Sequence, residues 1–370
     1  MDLDSIPREM LELLQRYGFD REQFLDWQRK VAEGRLSPDS NIVRGKLEAP
    51  EPDAWTDYPK RGTDEHAAAE ARGQEAIRNG EVGAIVLNGG MATRFGGRVK
   101  GVVEALPGRS FLQLKATGMH EVARRLGGSL GIFLMNSYAT DEDTREHCRE
   151  SADFGLPEGV LDHFTQGVSL RMTPEGDLFV DDEGHVSPHG PGHGDCPTFF
   201  RRSGCLARFL AEGGRYLFIS NVDNLAARLD PVVIGMHILS GARITTELAP
   251  KWEGDQGGAP VVVDGEIWIV EGFRFPPGFD QDQIPVFNTN TFTVDAEALD
   301  HEFRLTPCYV RKQVGDREAV QIETLLGELT RLMPTHYLRV KRTGRANRFF
   351  PIKTPQDLEQ AREDLEALTG

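Results

Sequence analysis

Val82-Gly83-Ala84-Ile85-Val86-Leu87-Asn88-Gly89-Gly90-Met91-Ala92-Thr93-Arg94-Phe95-Gly96-Gly97-Arg98-Val99-Lys100-Gly101 runs from an apolar hexamer straight into a glycine-rich, cationic loop. The hexamer reads as a short strand covered on both faces, the habit of parallel sheets. Glycines at the carboxyl end of such a strand let backbone N–H groups converge on an anion, and open α/β sheets bind ligands there. Arg94, Arg98 and Lys100 add positive charge to the same loop. No Gly-Lys-Ser/Thr follows the first glycine at P-loop spacing, and Gly89-Gly90 lacks the Gly-x-Gly-x-x-Gly spacing of a dinucleotide fingerprint.

Outward from this loop, apolar runs at 130–135, 215–220 and 243–248 alternate with helical stretches at 119–125, 141–150, 196–211 and 231–239. That alternation predicts a parallel sheet wrapped by helices. Turn signals at Pro174-Glu175-Gly176, Asp182-Glu183-Gly184 and Asp264-Gly265 predict hairpins at 169–186 and around 264–265, which break the rhythm and make the sheet mixed. Helical spacing over 5–31, a Pro-rich connection at 37–59 and a second helix at 64–78 precede the first core strand. The expected fold is therefore α/β: a doubly wound, mixed, mostly parallel sheet. A helical amino-terminal segment spans 1–80, a core 81–310 and a short carboxyl-terminal part 311–370.

Composition narrows the function classes. The 370 residues are 39% hydrophobic and 27% charged, with no apolar run near the roughly 20 residues of a membrane span. A formal net charge of -16 opposes long contacts with nucleic acid, although a local knot of Arg and Lys can still hold one small phosphorylated ligand. The acidic first residues lack the basic and apolar regions of a secretory signal. Cys148, Cys196, Cys205 and Cys308 lack zinc or redox spacing and read as reduced thiols. The protein is expected in the cytoplasm, as a monomer or small homo-oligomer. His185, His189 and His193 have no recognised zinc-ligand spacing.

Residues 87–100 resemble the nucleotide-binding signature of the sugar nucleotide pyrophosphorylases. Further segments agree in order: Leu134-Met135-Asn136-Ser137-Tyr138, Pro191-Gly192-His193-Gly194-Asp195, Ser220-Asn221-Val222-Asp223-Asn224, Phe287-Asn288-Thr289-Asn290, Gln321-Ile322-Glu323-Thr324 and Phe350-Pro351-Ile352-Lys353-Thr354. Over about 82–358 the chain resembles the eukaryotic-type UTP–glucose-1-phosphate uridylyltransferases and UDP-N-acetylhexosamine pyrophosphorylases, and is closer to the former. It departs from their pattern at Ala92, where a loop glycine is usual, and at Val99, where a proline is usual. The chain ends soon after Lys353, without room for a β-helical carboxyl-terminal domain.

The resemblance implies a nucleotide-diphospho-sugar transferase fold, Rossmann-like, acting on UTP and a sugar 1-phosphate, preferably glucose 1-phosphate, with Mg2+. The nucleophile of such a transfer is already ionised, so catalysis is alignment and charge neutralisation rather than general base chemistry. By resemblance Lys100, Lys353 and Arg94 meet the phosphates, and Asp223 sits beside the magnesium. Gly89, Gly90, Gln166 and Gly192 contact the nucleotide, while His193, Asn221, Asn290 and Glu323 face the sugar. Neither lysine lies in an apolar stretch, so neither is expected to matter to folding. N-acetylglucosamine or galactose 1-phosphate as acceptor, and a UDP-sugar-binding protein without turnover, remain the alternatives.

Overall fold

The computed structural model describes residues 3, 6–92, 95–255 and 257–369. Eight strands form its main sheet: β1 (Thr56–Asp57), β2 (Val82–Leu87), β3 (Gly131–Asn136), β4 (Leu161–Thr165), β5 (Tyr216–Asn221), β6 (Ile244–Pro250), β7 (Val286–Asp295) and β8 (Thr335–Arg339). Their order across the sheet is β1-β8-β6-β7-β5-β2-β3-β4. Every neighbouring pair is parallel except the two made by β7, which runs against both β6 and β5. The sheet is thus mixed and mostly parallel, as expected, but β7 makes it mixed: the hairpin around Asp264-Gly265 and the strands at 169–170 and 188–189 belong to separate small sheets. It takes strands from both sides of residues 81 and 310, so the three sequence segments share one sheet.

Alternation along β2 explains its unbroken apolar run. Ala84 and Val86 pack into one core with Phe111, Leu112, Met119 and Phe218, whereas Ile85 and Leu87 pack into another with Phe133, Phe164, Phe200 and Phe209. Helix Phe111–Arg125 covers the first face and helices Cys196–Arg202 and Cys205–Ala211 the second. The stretch 119–125 is only the end of the first of these helices. Ser110 caps its start by accepting a hydrogen bond from the Gln113 N–H at 3.1 Å. Residues 196–211 divide into two helices at Gly204, which takes a left-handed conformation.

The amino-terminal stretch is likewise two helices, Arg8–Arg16 and Arg21–Ala32, the second capped by Asp20. Leu14, Phe24, Trp27 and Val31 pack with Leu170, Met172, Tyr309, Val320 and Ile322. The helical segment therefore backs the hairpin Cys308–Val314/Arg317–Glu323, whose last residue is a candidate sugar ligand. The sequence pattern did not announce that hairpin, nor β7 or β8. No helix among the described residues is long and apolar enough to cross a membrane. All four cysteines are buried and free.

Candidate active site

The carboxyl ends of β2, β3, β4 and β5 open onto a cleft of about 550 Å³. It gathers Gly89, Gly90, Lys100, Gln166, Gly192, His193, Asn221, Asp223 and Glu323, residues spread over more than two hundred positions of sequence. Arg94 lies outside the described residues. Lys353 is exposed and lines a neighbouring cleft with Asp357, Arg342 and Phe349. Asn290 is drawn in through Asn221, to whose Oδ1 its Nδ2 donates at 3.0 Å.

Local interactions fix the glycine loop. Asn88 is wholly buried, and its Nδ2 donates to Asn136 Oδ1 and Thr144 Oγ1, both at 2.9 Å. Met91 and Val99 pair as a short antiparallel ladder, and the Lys100 N–H reaches Gly90 O at 3.3 Å. Val99 is completely buried, so packing of an aliphatic side chain holds the strand end here. Gln166 is itself buried, with its amide wedged between two glycines. A Cβ on Gly89 would come within 2.8 Å of Gln166 Nε2, and one on Gly190 closer still. Only glycine lets the backbone meet that amide so closely.

Lys100 is buried although it lies in no apolar stretch of the sequence. Its side chain is buried, with Nζ 3.9 Å from the Phe95 ring centroid and 4.6 Å from that of Phe111, and no hydrogen-bond acceptor meets the ammonium. Burial pulls its pKa down, and Asp223 and Asp357 pull it back up. Asp223 lies two residues past the end of β5. Burial raises its pKa, against the opposing pull of Lys100, Lys115 and Lys353. Three lysines thus converge on one carboxylate, one of them Lys353 from the far end of the chain. Ile352 N–H donates to Asp223 O at 3.2 Å, which sets Lys353 beside that carboxylate.

The opposite wall is built by the loop at 190–195. Gly192 has φ 96°, and a Cβ there would strike Thr324 O. The loop docks on the hairpin through Gly194 N–H to Thr324 O at 3.0 Å and Thr324 N–H to Pro191 O at 2.7 Å. His193 Nδ1 accepts from the Leu326 N–H at 2.9 Å, and burial lowers the ring pKa to about 4. The neutral ring then carries its proton on Nε2, a donor for the cleft. Glu323 Oε1 accepts from Gln321 Nε2, whose amide oxygen accepts from Arg171 Nε at 3.1 Å.

Sequence reasoning missed Arg171 and Lys312, which also line the cleft, and Lys115, which lies beneath it. For Lys115 a signal existed: it is four residues from both Phe111 and Met119, on the buried face of its helix.

Asn290 shows how a sheet irregularity builds a site. The β6–β7 register shifts between Thr246 and Leu248. Beside the shift Asn290 takes φ 56°, a left-handed conformation that Asn tolerates. Asn288 Oδ1 accepts from Thr246 Oγ1 at 3.0 Å and from the Asn290 N–H at 3.1 Å, which re-aims Asn290 toward Asn221.

Sheet and cleft together give the chain the α/β fold of the nucleotide-diphospho-sugar type. A family model described as UTP--glucose-1-phosphate uridylyltransferase matches residues 22–369, and the chain belongs to that family. The barley (Hordeum vulgare) UTP--glucose-1-phosphate uridylyltransferase is 29% identical over 304 residues, covering 77% of this chain and 62% of that protein. The Saccharomyces cerevisiae enzyme of the same name is 29% identical over 306 residues, covering 77% of this chain and 60% of its own. The chain thus spans about three fifths of the length of these relatives. Among solved structures, a Trypanosoma brucei uridine diphosphate N-acetylglucosamine pyrophosphorylase superposes with TM-score 0.75 at 21% identity, covering 93% of this chain and 76% of that one. A UDP-glucose phosphorylase from the same organism gives TM-score 0.73 at 22% identity, covering 95% and 77%.

Proposed function

We propose that the chain transfers the uridylyl group of UTP to glucose 1-phosphate. A phosphate oxygen of the sugar attacks the α-phosphorus, the bond to the β-phosphate oxygen breaks, and pyrophosphate leaves as UDP-glucose forms. The observation that carries this reading is the meeting, in one cleft, of a buried amide framed by glycines with a carboxylate set among ammonium groups. Gln166 offers the paired donor and acceptor that a uracil edge needs, and Gly89, Gly90 and Gly192 let backbone approach the nucleotide. Lys100, with Lys353 from the adjoining cleft and Arg94 from the loop, neutralises charge on the α-phosphate and the departing pyrophosphate. His193, Asn221, Asn290 and Glu323 supply the planar amides, donor and carboxylate that grip sugar hydroxyls.

Asp223 fits Mg2+ as a shared ligand rather than as part of a closed cage. Among the described residues the one compact group of three His, Cys, Asp or Glu ligand atoms is Asp181, Glu183 and His185, on a hairpin outside the cleft. A hard cation that keeps several waters needs only one carboxylate plus substrate phosphates. Bound there, Mg2+ would neutralise phosphate charge. The four reduced cysteines favour a cytoplasmic site of action.

Pyrophosphate release, measured with each of the four nucleoside triphosphates against glucose, galactose and N-acetylglucosamine 1-phosphates, tests the reading. UTP with glucose 1-phosphate and Mg2+ is expected to give the highest kcat/KM, and Asp223→Asn to lose at least a hundredfold. Equal use of all four nucleotides, or full turnover in excess chelator, refutes it. UDP-glucose binding without any turnover marks a binding protein instead.

A further inference from the structure

Lys115 is an anomaly on its helix. Phe111, Lys115 and Met119 share one face and all three are buried, so the pattern calls for an apolar residue at the middle position. Its ammonium instead donates to two backbone carbonyls, Asn224 O at 2.7 Å and Ala227 O at 2.9 Å. Both belong to the turn that follows Asp223. A buried ammonium is tolerated only where it is hydrogen-bonded or paired, so the site has been built around this charge.

The same turn is held from its other side by the segment that leads to Lys353. Asn224 Nδ2 donates to Arg348 O at 3.2 Å, Asn224 Oδ1 accepts from the Phe350 N–H at 2.9 Å, and Asp223 O accepts from the Ile352 N–H at 3.2 Å. Arg348 is anchored in turn by two 2.6 Å bonds to Glu247 of β6, a buried ion pair. The residues that carry Asp223 and Lys353 are therefore joined through Asn224, and Lys115 closes the joint from below. Burial lowers its own pKa to about 7, while Asp223 pulls it back up.

Resting on the transfer reaction proposed above, we infer that Lys115 is a positioning residue: it fixes the turn at 223–227 and so holds Asp223 and Lys353 in register across the reacting phosphate. A neutral side chain of equal length would fill the space and leave two carbonyls without their donor. The turn would then be free to shift relative to Lys353, and alignment would suffer before substrate binding does.

Lys115→Met, with Lys115→Gln as the milder variant that keeps one donor, is compared with wild type and Asp223→Asn. The readouts are kcat and KM for both substrates, together with amide hydrogen exchange over 348–353. The expected result is a drop in kcat of about 10- to 100-fold, the scale on which partners that orient ligating groups act. KM is expected to change less than threefold, and exchange at Phe350 and Ile352 to quicken at least tenfold. In the Asp223→Asn background Lys115→Met should cost little more. A kcat within threefold of wild type overturns the inference, as does a loss that only follows the folded fraction measured by circular dichroism. Should Lys115→Met not fold, Lys115→Gln is held to the same criteria. Should wild type show no transfer with any substrate, the reaction assigned above falls by itself. The tie is then judged by exchange, and unchanged exchange overturns it.

Discussion

Lys100→Met sets catalysis against folding in one side chain. The ammonium gains attraction from two rings, with centroids 3.9 and 4.6 Å away, a contribution of about 0.5–2 kcal/mol. It is also buried without a hydrogen-bond acceptor, a cost of roughly 1–3 kcal/mol. The two nearly offset, and the methionine stem refills the space, so folding stability should change by less than about 2 kcal/mol, with a stabilising sign as open as a destabilising one. In the reaction nothing offsets the loss. Removing one preorganised donor from a dry site costs about 2.7–4 kcal/mol in the transition state, or roughly 10²–10³ in kcat. Steady-state pyrophosphate release and thermal melting of the same preparations check both halves. Near-normal kcat refutes the catalytic assignment. A melting temperature lowered by more than about 10 °C would show instead that the lysine is a strut of the core.

Gly190→Ala places a methyl group on the Gln166 amide and is expected to raise KM for UTP at least tenfold while circular dichroism stays unchanged; steady-state titration of UTP checks it. Arg348→Met leaves Glu247 buried and unpaired and should cost about 3–5 kcal/mol in urea unfolding, whereas adding Glu247→Leu should restore most of it. The His193 ring, held near a pKa of about 4, refuses a proton that the unfolded chain accepts near 6.5. Stability from this residue is therefore present above about pH 6.5 and lost as pH falls toward 4. Asp195 acts in the opposite sense, since burial raises its pKa to about 7 and the folded carboxyl takes up a proton first. The His193→Asn variant should consequently show a shallower loss of urea stability than wild type between pH 6.5 and 4.

Strand β2, helices Asp64–Arg78 and Asp141–Glu150 and the turn at Asp264-Gly265 were legible in the sequence because their causes are local: unbroken apolar runs, end caps, and residues that accept positive φ. The motif residues were legible too, as types in an order. Composition and pattern by themselves thus determined an α/β chain with a glycine-rich, cationic loop after its first core strand. Tertiary structure decided which of those residues meet. Gln166 is framed by glycines from two separate loops, and Asn290 reaches Asn221 through a shift in sheet register. Lys115 stands on the apolar face of its helix, but its two carbonyl partners appear only when the turn after Asp223 folds over it, and Lys100 becomes a buried charge when Phe95 and Phe111 close around it. Periodicity reports which face of an element is covered, but the depth of burial and the partner of a charge depend on contacts between distant segments, and these exist only in the folded chain.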